Sequence, residues 1–94
     1  MQSIRVLIVD DHAVVRQGLR SLLSVHDDIQ IVGEADRGSV VLGLVETLRP
    51  DVVLLDIRIP PPTGIEVAHR LRRSYPDVRV IILTTHDDDI YLND

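Results

Sequence analysis

The chain contains no cysteine, phenylalanine or tryptophan, and its only aromatic residues are Tyr75 and Tyr91. Without cysteine it forms neither a disulfide framework nor a thiolate metal site, which is compatible with a reducing compartment. Without a row of aromatic side chains it offers no stacking platform for single-stranded nucleic acid. The core must be built from valine, isoleucine and leucine, as is typical of a sheet flanked by helices.

Positive charge is also scarce, since the formal net charge is −5 at pH 7. This balance argues against binding of a phosphate backbone by these residues, so DNA would have to be bound by another segment. No apolar run approaches the roughly 18 residues of a membrane span, and the start MQSIRVLIVDD has no signal-peptide character. We therefore expect one small soluble domain located in the cytoplasm.

Strand-like and helix-like segments alternate along the chain. Strands are predicted over residues 4–9 and 78–83 and within the segments DIQIVGEAD and DVVLLD. Helices are predicted from three apolar stripes: Val15, Leu19, Leu22 and Leu23; Val40, Val41, Leu44, Val45 and Leu48; and Ile65, Ala68 and Leu71. Asp11 is the predicted N-cap of the first helix. The pattern predicts an α/β fold with a mainly parallel sheet.

Polar side chains follow three of the predicted strands. Asp10 and Asp11 end the first strand, Asp56 ends the third and Thr84 ends the fourth. Ligands of open parallel sheets bind beyond the carboxyl ends of the strands. If the first and third strands are neighbours, as in the flavodoxin-like order 2-1-3-4-5, the three carboxylates converge in one crevice.

A cation would offset the repulsion among these carboxylates. Oxygen ligands without cysteine or an obviously placed histidine favour a hard ion, and a site with few carboxylates and much water suits Mg²⁺ better than Ca²⁺. Mg²⁺ accompanies phosphoryl transfer, and a carboxylate beside it can act as a nucleophile and become an acyl phosphate. His12, His26 and His69 are interpreted as solvated residues rather than ligands, and Arg70, Arg72 and Arg73 as a solvated helix face.

Three segments carry the most specific pattern: VLIVDDHAVVRQGLRSLL, PDVVLLDIRIPPPTGIEV and VIILTTHDDD. They cover almost all of the chain and resemble the receiver (phosphoacceptor) domain of bacterial two-component response regulators. DDHAVVRQGL and DIRIP are most similar to the NarL/FixJ branch, whose members usually carry a C-terminal LuxR-type helix-turn-helix output domain. The resemblance implies a CheY-like doubly wound sheet, with residues 1–94 forming an incomplete receiver and no output domain among them.

The resemblance also implies roles for individual residues. Asp56 matches the phosphoacceptor, Asp11 a direct Mg²⁺ ligand and Asp10 a ligand that acts largely through water. The backbone carbonyl of Arg58 matches the remaining protein ligand. A domain of this kind accepts a phosphoryl group from a sensor histidine kinase, and it is no enzyme beyond self-catalysed phosphotransfer and autodephosphorylation.

The loops beyond the third and fourth strands carry further matches. Thr84 matches the switch hydroxyl, while Arg58 and His86 hold the two variable positions that modulate dephosphorylation. Pro60 and Gly64 match the ends of the turn after the third strand. Switching of the domain would then act on DNA only through an output domain outside this chain, with no membrane partner.

A receiver normally ends a fifth strand in a lysine, whereas all ten basic residues of this chain are arginine. We interpret the chain as the front portion of a receiver that lacks the fifth strand and fifth helix, with HDDDIYLND opening the fourth helix. Alternatively, IYLND is the remnant of a fifth strand after an internal deletion, with Asn93 near the lysine position. The missing lysine supports a second hypothesis, in which a degenerate receiver is a phosphorylation-independent dimerisation or interaction module.

Two other classes of protein are disfavoured. A haloacid-dehalogenase-like hydrolase needs a second aspartate two positions after its nucleophile, where this chain has Arg58. Nucleotide-binding folds are disfavoured because neither GxGxxG nor GxxxxGK[ST] occurs. We further expect this chain to form a homodimer or a segment-exchanged association.

Overall fold

The computed structural model describes residues 3–83, which form four strands and three α-helices joined by short loops. The elements are β1 (Ile4–Val9), α1 (Ala13–Ser24), β2 (Ile29–Ala35), α2 (Val41–Leu48), β3 (Val52–Asp56), α3 (Gly64–Ser74) and β4 (Arg79–Leu83), with a 3-10 turn (Gly38–Val40) before α2. The predicted alternation of strands and helices is confirmed. The predicted opening of a fourth helix, with Thr84, His86 and Asn93, lies outside the described residues.

The four strands form one parallel sheet in the order β2-β1-β3-β4. This is the strand order that the flavodoxin-like architecture predicts, and the fold class is confirmed. β1 pairs with β2 on one side and with β3 on the other, so Val9 lies beside both Ala35 and Leu55. The last residues of β1 and β3 are therefore neighbours at the carboxyl edge of the sheet.

The main hydrophobic core lies between one face of the sheet and the helices α2 and α3. Alternate residues of β1 and β3 contribute to it, and all of its members are nearly or completely buried: Leu7, Val9, Ala35, Val41, Val45, Val53, Leu55, Ile59, Val67 and Leu71. Burial of each large aliphatic side chain contributes about 1.5–3 kcal/mol relative to exposure. This face anchors β1 and β3 under the carboxyl edge.

The opposite face of the sheet is covered by α1 and is less completely packed. Val6 and Ile8 are buried there, but Ile81 remains 50% exposed. No residue of α1 is buried, although its predicted apolar stripe, including Val15 and Leu22, lies on this helix. The stripe is only partly covered, since Leu19 and Leu23 are half-buried while Val15 and Leu22 are exposed. Among residues 3–83, α1 is the only helix on this face, so no other helix of that range covers the rest of the stripe.

Polar contacts hold α1 in place instead. The guanidinium of Arg16 donates to the Asp10 carbonyl at 2.7 Å and to Oε1 of Glu34 at 3.0 Å, and Arg20 pairs with the other oxygen of Glu34. Glu34 belongs to β2, so these bonds tie α1 to the sheet directly beside Asp10. No helix within residues 3–83 is long and apolar enough to cross a membrane.

The first residues of α1 and α3 correct two predictions, one about the N-cap of α1 and one about the buried side of α3. Asp11 was predicted to cap α1, but the N-cap is His12, whose side chain caps nothing, and Asp10 Oδ1 accepts the His12 N–H at 2.8 Å. Ile65 was predicted to be buried on α3, yet it is 50% exposed while Val67 and Leu71 are buried. Because α3 begins at Gly64, residues 64, 67 and 71 share the core side, and Ile65 is rotated by about 100° from Gly64.

The amino ends of the strands are joined by a compact set of hydrogen bonds. Asp51 Oδ2 accepts the Arg5 N–H at 2.8 Å, the Asp51 N–H donates to the Arg5 carbonyl at 2.8 Å, and the Asp51 carbonyl accepts the Arg79 N–H at 3.0 Å. The Arg5 side chain also donates to the carbonyls of Leu48 and Arg49 at the end of α2. These bonds connect β1, β4 and α2 at the edge of the sheet opposite Asp56.

Candidate metal centre

Three carboxylates meet at the carboxyl edge of the sheet. Asp10 and Asp11 follow β1 and Asp56 ends β3, and one oxygen from each, together with a ring nitrogen of His12, lie within 4.8 Å of one another. The structure thus brings together the three aspartates that the strand ends predict, because β1 and β3 are neighbours in a parallel sheet. The predicted site residues Thr84 and His86 lie outside the described residues.

Two of the carboxylates are buried. Asp10 and Asp56 are each 1% exposed. The Asp10 N–H donates to the Ala35 carbonyl at 3.0 Å, which fixes its backbone on the sheet, and Asp56 Oδ1 accepts the Arg58 N–H at 3.1 Å. Burial of a charged group is costly unless an opposite charge or hydrogen bonds compensate it. Adjacent buried carboxylates with like charge therefore create a demand for a cation at this point.

His12 is the residue of the cluster that sequence reasoning missed. Its Nδ1 lies 2.9 Å from Oδ1 of Asp10 and 3.0 Å from Oδ1 of Asp11, although 59% of its side chain is exposed. The hydrogen bond with Asp10 and then the charge of Asp11 raise the pKa of His12 above its usual value. The one available signal was its place directly after the acidic pair; His12 is exposed, as predicted, and its ring also bonds to the carboxylates of that pair.

The loop after Asp56 is held by a close backbone approach at Gly64. A Cβ at this position would lie 2.3 Å from the Asp56 carbonyl oxygen and 2.7 Å from the Ile57 Cα, both of which are backbone atoms. Glycine is therefore required where α3 begins. Thr63 caps the helix in the same place, since its hydroxyl accepts the Glu66 N–H and the Glu66 carboxylate accepts the Thr63 N–H.

A groove of about 490 Å³ opens beside the acidic cluster. Asp11 lines one side of it, and Arg58, Pro60, Thr63 and Ile65 line the other. A small anionic donor or a partner's side chain has room to approach the cluster from this direction. The groove therefore connects the carboxylates with solvent on the side where the loop after Asp56 lies.

The donor set fits a hard divalent cation. Carboxylate oxygens of Asp10, Asp11 and Asp56 converge within the range that a single ion bridges, and the groove admits the water molecules that Mg²⁺ retains. The predicted fourth protein ligand is the Arg58 carbonyl, and the N–H of the same residue donates to Asp56 Oδ1. An acidic pocket of this composition is chemically suited to Mg²⁺, which is the ion that the sequence predicts.

Comparison with known proteins gives one consistent result. Residues 6–94 match the model of the response regulator receiver domain. Over 86 residues the chain is 44% identical to the response regulator GacA of Pseudomonas viridiflava, and over 89 residues it is 37% identical to the transcriptional regulatory protein DegU of Brevibacillus brevis. These alignments cover 92% and 95% of this chain.

A solved structure agrees with these relatives. The crystal structure of a LuxR-family two-component response regulator from Aurantimonas sp. SI85-9A1 superimposes with a TM-score of 0.86 at 30% identity, over 98% of this chain and 66% of that one. The chain spans only 40% and 38% of the lengths of the GacA and DegU relatives. The similarity therefore concerns one domain of longer proteins.

Proposed function

This chain belongs to the response regulator receiver domain family, and on that basis we propose that Asp56 accepts a phosphoryl group from a sensor histidine kinase. The observation that carries the proposal is the convergence of Asp10, Asp11 and Asp56 at the ends of β1 and β3. We propose further that phosphorylation switches a DNA-binding output domain outside these residues. The relatives GacA and DegU, a response regulator and a transcriptional regulatory protein, support this assignment. Such a protein works in the cytoplasm.

The chemistry proposed for Asp56 is a direct displacement. A carboxylate oxygen of Asp56 forms a bond to phosphorus as the bond from phosphorus to the donor breaks, and the product is an acyl phosphate. The Arg58 N–H holds Oδ1 of Asp56 and so fixes the plane of the carboxylate before the reaction. Asp10, Asp11, Asp56 and the Arg58 carbonyl would hold Mg²⁺, which would neutralise charge on the transferring group.

The remaining roles concern the response to the phosphoryl group. We assign Thr84 as the hydroxyl that follows this group and biases a two-state surface beyond β4. Arg58 and His86 are assigned as the residues that modulate its hydrolysis. Arg58 lines the groove beside Asp11, where an attacking water molecule would pass.

A second function is favoured by one feature of the sequence. No lysine occurs among these 94 residues, so none of them supplies the lysine that pairs with the phosphoryl group in receivers. In this alternative the domain is a phosphorylation-independent interaction module that associates with a second copy. The acidic cluster would then bind a divalent cation without any acyl phosphate forming at Asp56.

The test is phosphorylation of the chain by radiolabelled acetyl phosphate. We expect labelling that is acid-labile and sensitive to hydroxylamine, as for an acyl phosphate, in Mg²⁺ and none in EDTA, with complete loss in Asp56→Asn. Asn keeps an oxygen that accepts the Arg58 N–H, so the variant tests the nucleophile rather than the loop. Asp77→Asn, an exposed aspartate before β4, is the matched control and should label normally.

Two outcomes contradict the proposal. Retained labelling in Asp56→Asn removes Asp56 from its role as acceptor. Absence of labelling in a wild-type chain that circular dichroism shows to be folded and that still binds Mg²⁺ favours the interaction module instead.

A further inference from the structure

We propose that Arg16 is a positioning residue for the acidic pocket, because it holds the peptide unit between Asp10 and Asp11 in place. This inference rests on the proposed function, since it concerns two of the aspartates that would bind Mg²⁺ at the same site. Arg16 would act through the backbone that carries these side chains rather than through the ion.

Arg16 bonds to the backbone on both sides of Asp11. Its guanidinium Nη1 donates to the Asp10 carbonyl at 2.7 Å, and its backbone N–H donates to the His12 carbonyl at 3.1 Å. The Asp10 carbonyl and the Asp11 N–H belong to one planar peptide unit, so a bond to that carbonyl sets the tilt of the whole plane. The direction in which Asp11 leaves the sheet therefore depends on Arg16.

The sheet itself fixes the other side of Asp10. β1 pairs with β2 as far as Val9 and Ala35, and the Asp10 N–H donates to the Ala35 carbonyl at 3.0 Å. The strand ends there, and the Asp10 carbonyl accepts from the Arg16 side chain instead. A buried carbonyl without a partner is costly, and Asp10 is 1% exposed. Loss of the guanidinium removes this donor, so we expect the peptide unit to rotate.

Glu34 aims the guanidinium at the Asp10 carbonyl. Its Oε1 accepts Nε of Arg16 at 3.0 Å, which leaves Nη1 directed at that carbonyl. A planar guanidinium presents its donors in fixed directions, whereas the ammonium of a lysine is a single nitrogen on a flexible stem. The Glu34 carboxylate also offsets the charge of Arg16, so the pair supplies a hydrogen bond beside the pocket with little repulsion of a cation.

Arg20 provides the matched control, because it pairs with the other oxygen of Glu34 about one turn further along α1. Its side chain is 52% exposed, against 20% for Arg16, and exposed ion pairs contribute little to stability. Arg20→Met therefore removes an arginine from the same helix and the same acceptor, while the bond from Arg16 to the Asp10 carbonyl stays in place.

The experiment compares Mg²⁺ affinities of the full chain by NMR titration, in variants that urea denaturation shows to be folded. Arg16→Met keeps the apolar stem but removes the donors, and we expect it to weaken binding by about tenfold, since residues that orient a metal ligand change affinity by about 10- to 100-fold. Arg20→Met should keep the wild-type affinity. Arg16→Lys should recover part of the loss, because an ammonium can still donate to the Asp10 carbonyl.

A second readout uses the metal-free chain. A hydrogen bond to a carbonyl shifts the resonances of its carbon and of the amide nitrogen in the same peptide unit, so Asp10 ¹³C′ and Asp11 ¹⁵N report on the bond from Arg16. We expect both signals to move in Arg16→Met and neither in Arg20→Met. If Arg16→Met does not fold, Arg16→Lys decides: moved signals with weakened binding support the proposal, and wild-type values overturn it.

The two proposals fail in distinguishable ways. Equal Mg²⁺ affinities in the wild type and Arg16→Met overturn the positioning role and leave the proposed function intact. An equal loss in Arg16→Met and Arg20→Met also overturns that role, because it assigns the effect to loosening of α1 from Glu34. A wild-type chain that binds Mg²⁺ but takes no label from acetyl phosphate contradicts the proposed function, while the affinities and signals still decide the role of Arg16. A folded wild-type chain that binds no Mg²⁺ overturns both.

Discussion

Gly64 is the residue on which the position of Asp56 depends most directly. Any β-carbon at residue 64 would overlap the carbonyl oxygen of Asp56 and the Cα of Ile57. In Gly64→Ala the backbone of this loop must therefore move, and we expect a loss of about 2 kcal/mol or more in the free energy of unfolding. We also expect weaker binding of Mg²⁺, because Asp56 moves with the loop. Urea denaturation and metal titration measure the two effects.

Gly43 provides the matched control, because it lies in α2 with no atom within 4 Å of its would-be β-carbon. Gly43→Ala should stabilise the chain by about 0.5–1 kcal/mol through the higher helix propensity of alanine, without altering metal binding. If Gly64→Ala and Gly43→Ala changed the free energy of unfolding and Mg²⁺ binding equally, the close approach of Gly64 to Asp56 would contribute nothing to stability.

Single residues also show where sequence reasoning succeeds. Asp10, Asp11 and Asp56 could be placed together because the end of a strand is visible in an aliphatic run and parallel strands share one carboxyl edge. His12 could not be placed, because the direction of its ring depends on two backbone dihedral angles at the start of α1. The spacing of residues along the chain does not encode those angles.

The start of α3 is an element whose stability should depend on pH. The pKa of Glu66 is lowered, chiefly by its hydrogen bonds with the backbone and side chain of Thr63. A folded-state pKa below the usual value means that this contribution to stability is present above pH 4.5 and is lost as the pH falls through the lowered pKa. Thr63→Ala should cost about 1 kcal/mol near pH 7, as is usual for an N-cap.

Thermal melts from pH 7 to pH 3 measure this dependence. The difference between the wild type and Thr63→Ala should shrink as the pH falls, because the variant lacks the Thr63 side-chain hydrogen bond that helps to lower the pKa of Glu66, and protonation of Glu66 removes that advantage from the wild type. Glu66→Gln keeps an oxygen that accepts the Thr63 N–H but carries no charge, so it should remove the pH dependence of this contribution. A difference between the wild type and Thr63→Ala that stays constant over the whole pH range would refute the coupling.

The sequence predicted which helices and strands exist, and their order along the chain, better than it predicted which side of each helix is buried. Strand β3 and helix α2 were recognisable because an apolar run or stripe is bounded by proline or aspartate. The buried side of α3 was misassigned at Ile65, because apolar spacing alone does not show where a helix begins, and the capping box at Thr63 sets that point. The exposure of α1 did not follow from its own apolar stripe, since it depends on which other elements cover the same face.

The whole molecule has two unequal faces, and the less covered one should promote association. Ile81 is 50% exposed beside Leu54 on the face that α1 covers, and Leu22 of α1 is 69% exposed. Large exposed apolar surface is uncommon on soluble monomers, and within residues 3–83 β4 pairs only with β3, which leaves an edge that can pair with another strand. We expect the chain to form a homodimer, or to exchange segments with a second copy, through β4 or α1.

Sedimentation velocity over a range of concentrations tests this expectation. Ile81→Lys should shift the chain toward the monomer, because it places a charge on the proposed contact. Ile65→Lys is the matched control, since Ile65 is equally exposed but lies on α3, and it should leave association unchanged. A wild-type chain that stays monomeric at every concentration would contradict the prediction.

The topology of the molecule could be predicted because short crossovers between parallel strands leave few arrangements open. The order of the four strands followed from the alternation of strands and helices together with the need to bring Asp56 next to Asp10. The unequal packing of the two faces did not follow from any single segment, because it is a property of the assembled sheet.

The hydrogen bonds between Arg5 and Asp51 give the sheet a difference in stiffness between its two ends. At the amino end, backbone and side-chain bonds join β1, β4 and α2 into one unit. At the carboxyl end, the strands run into loops that carry mutually repelling charges. We therefore expect a ligand that binds to those charges to move the loops at the carboxyl end. The hydrogen-bonded amino end should stay in place.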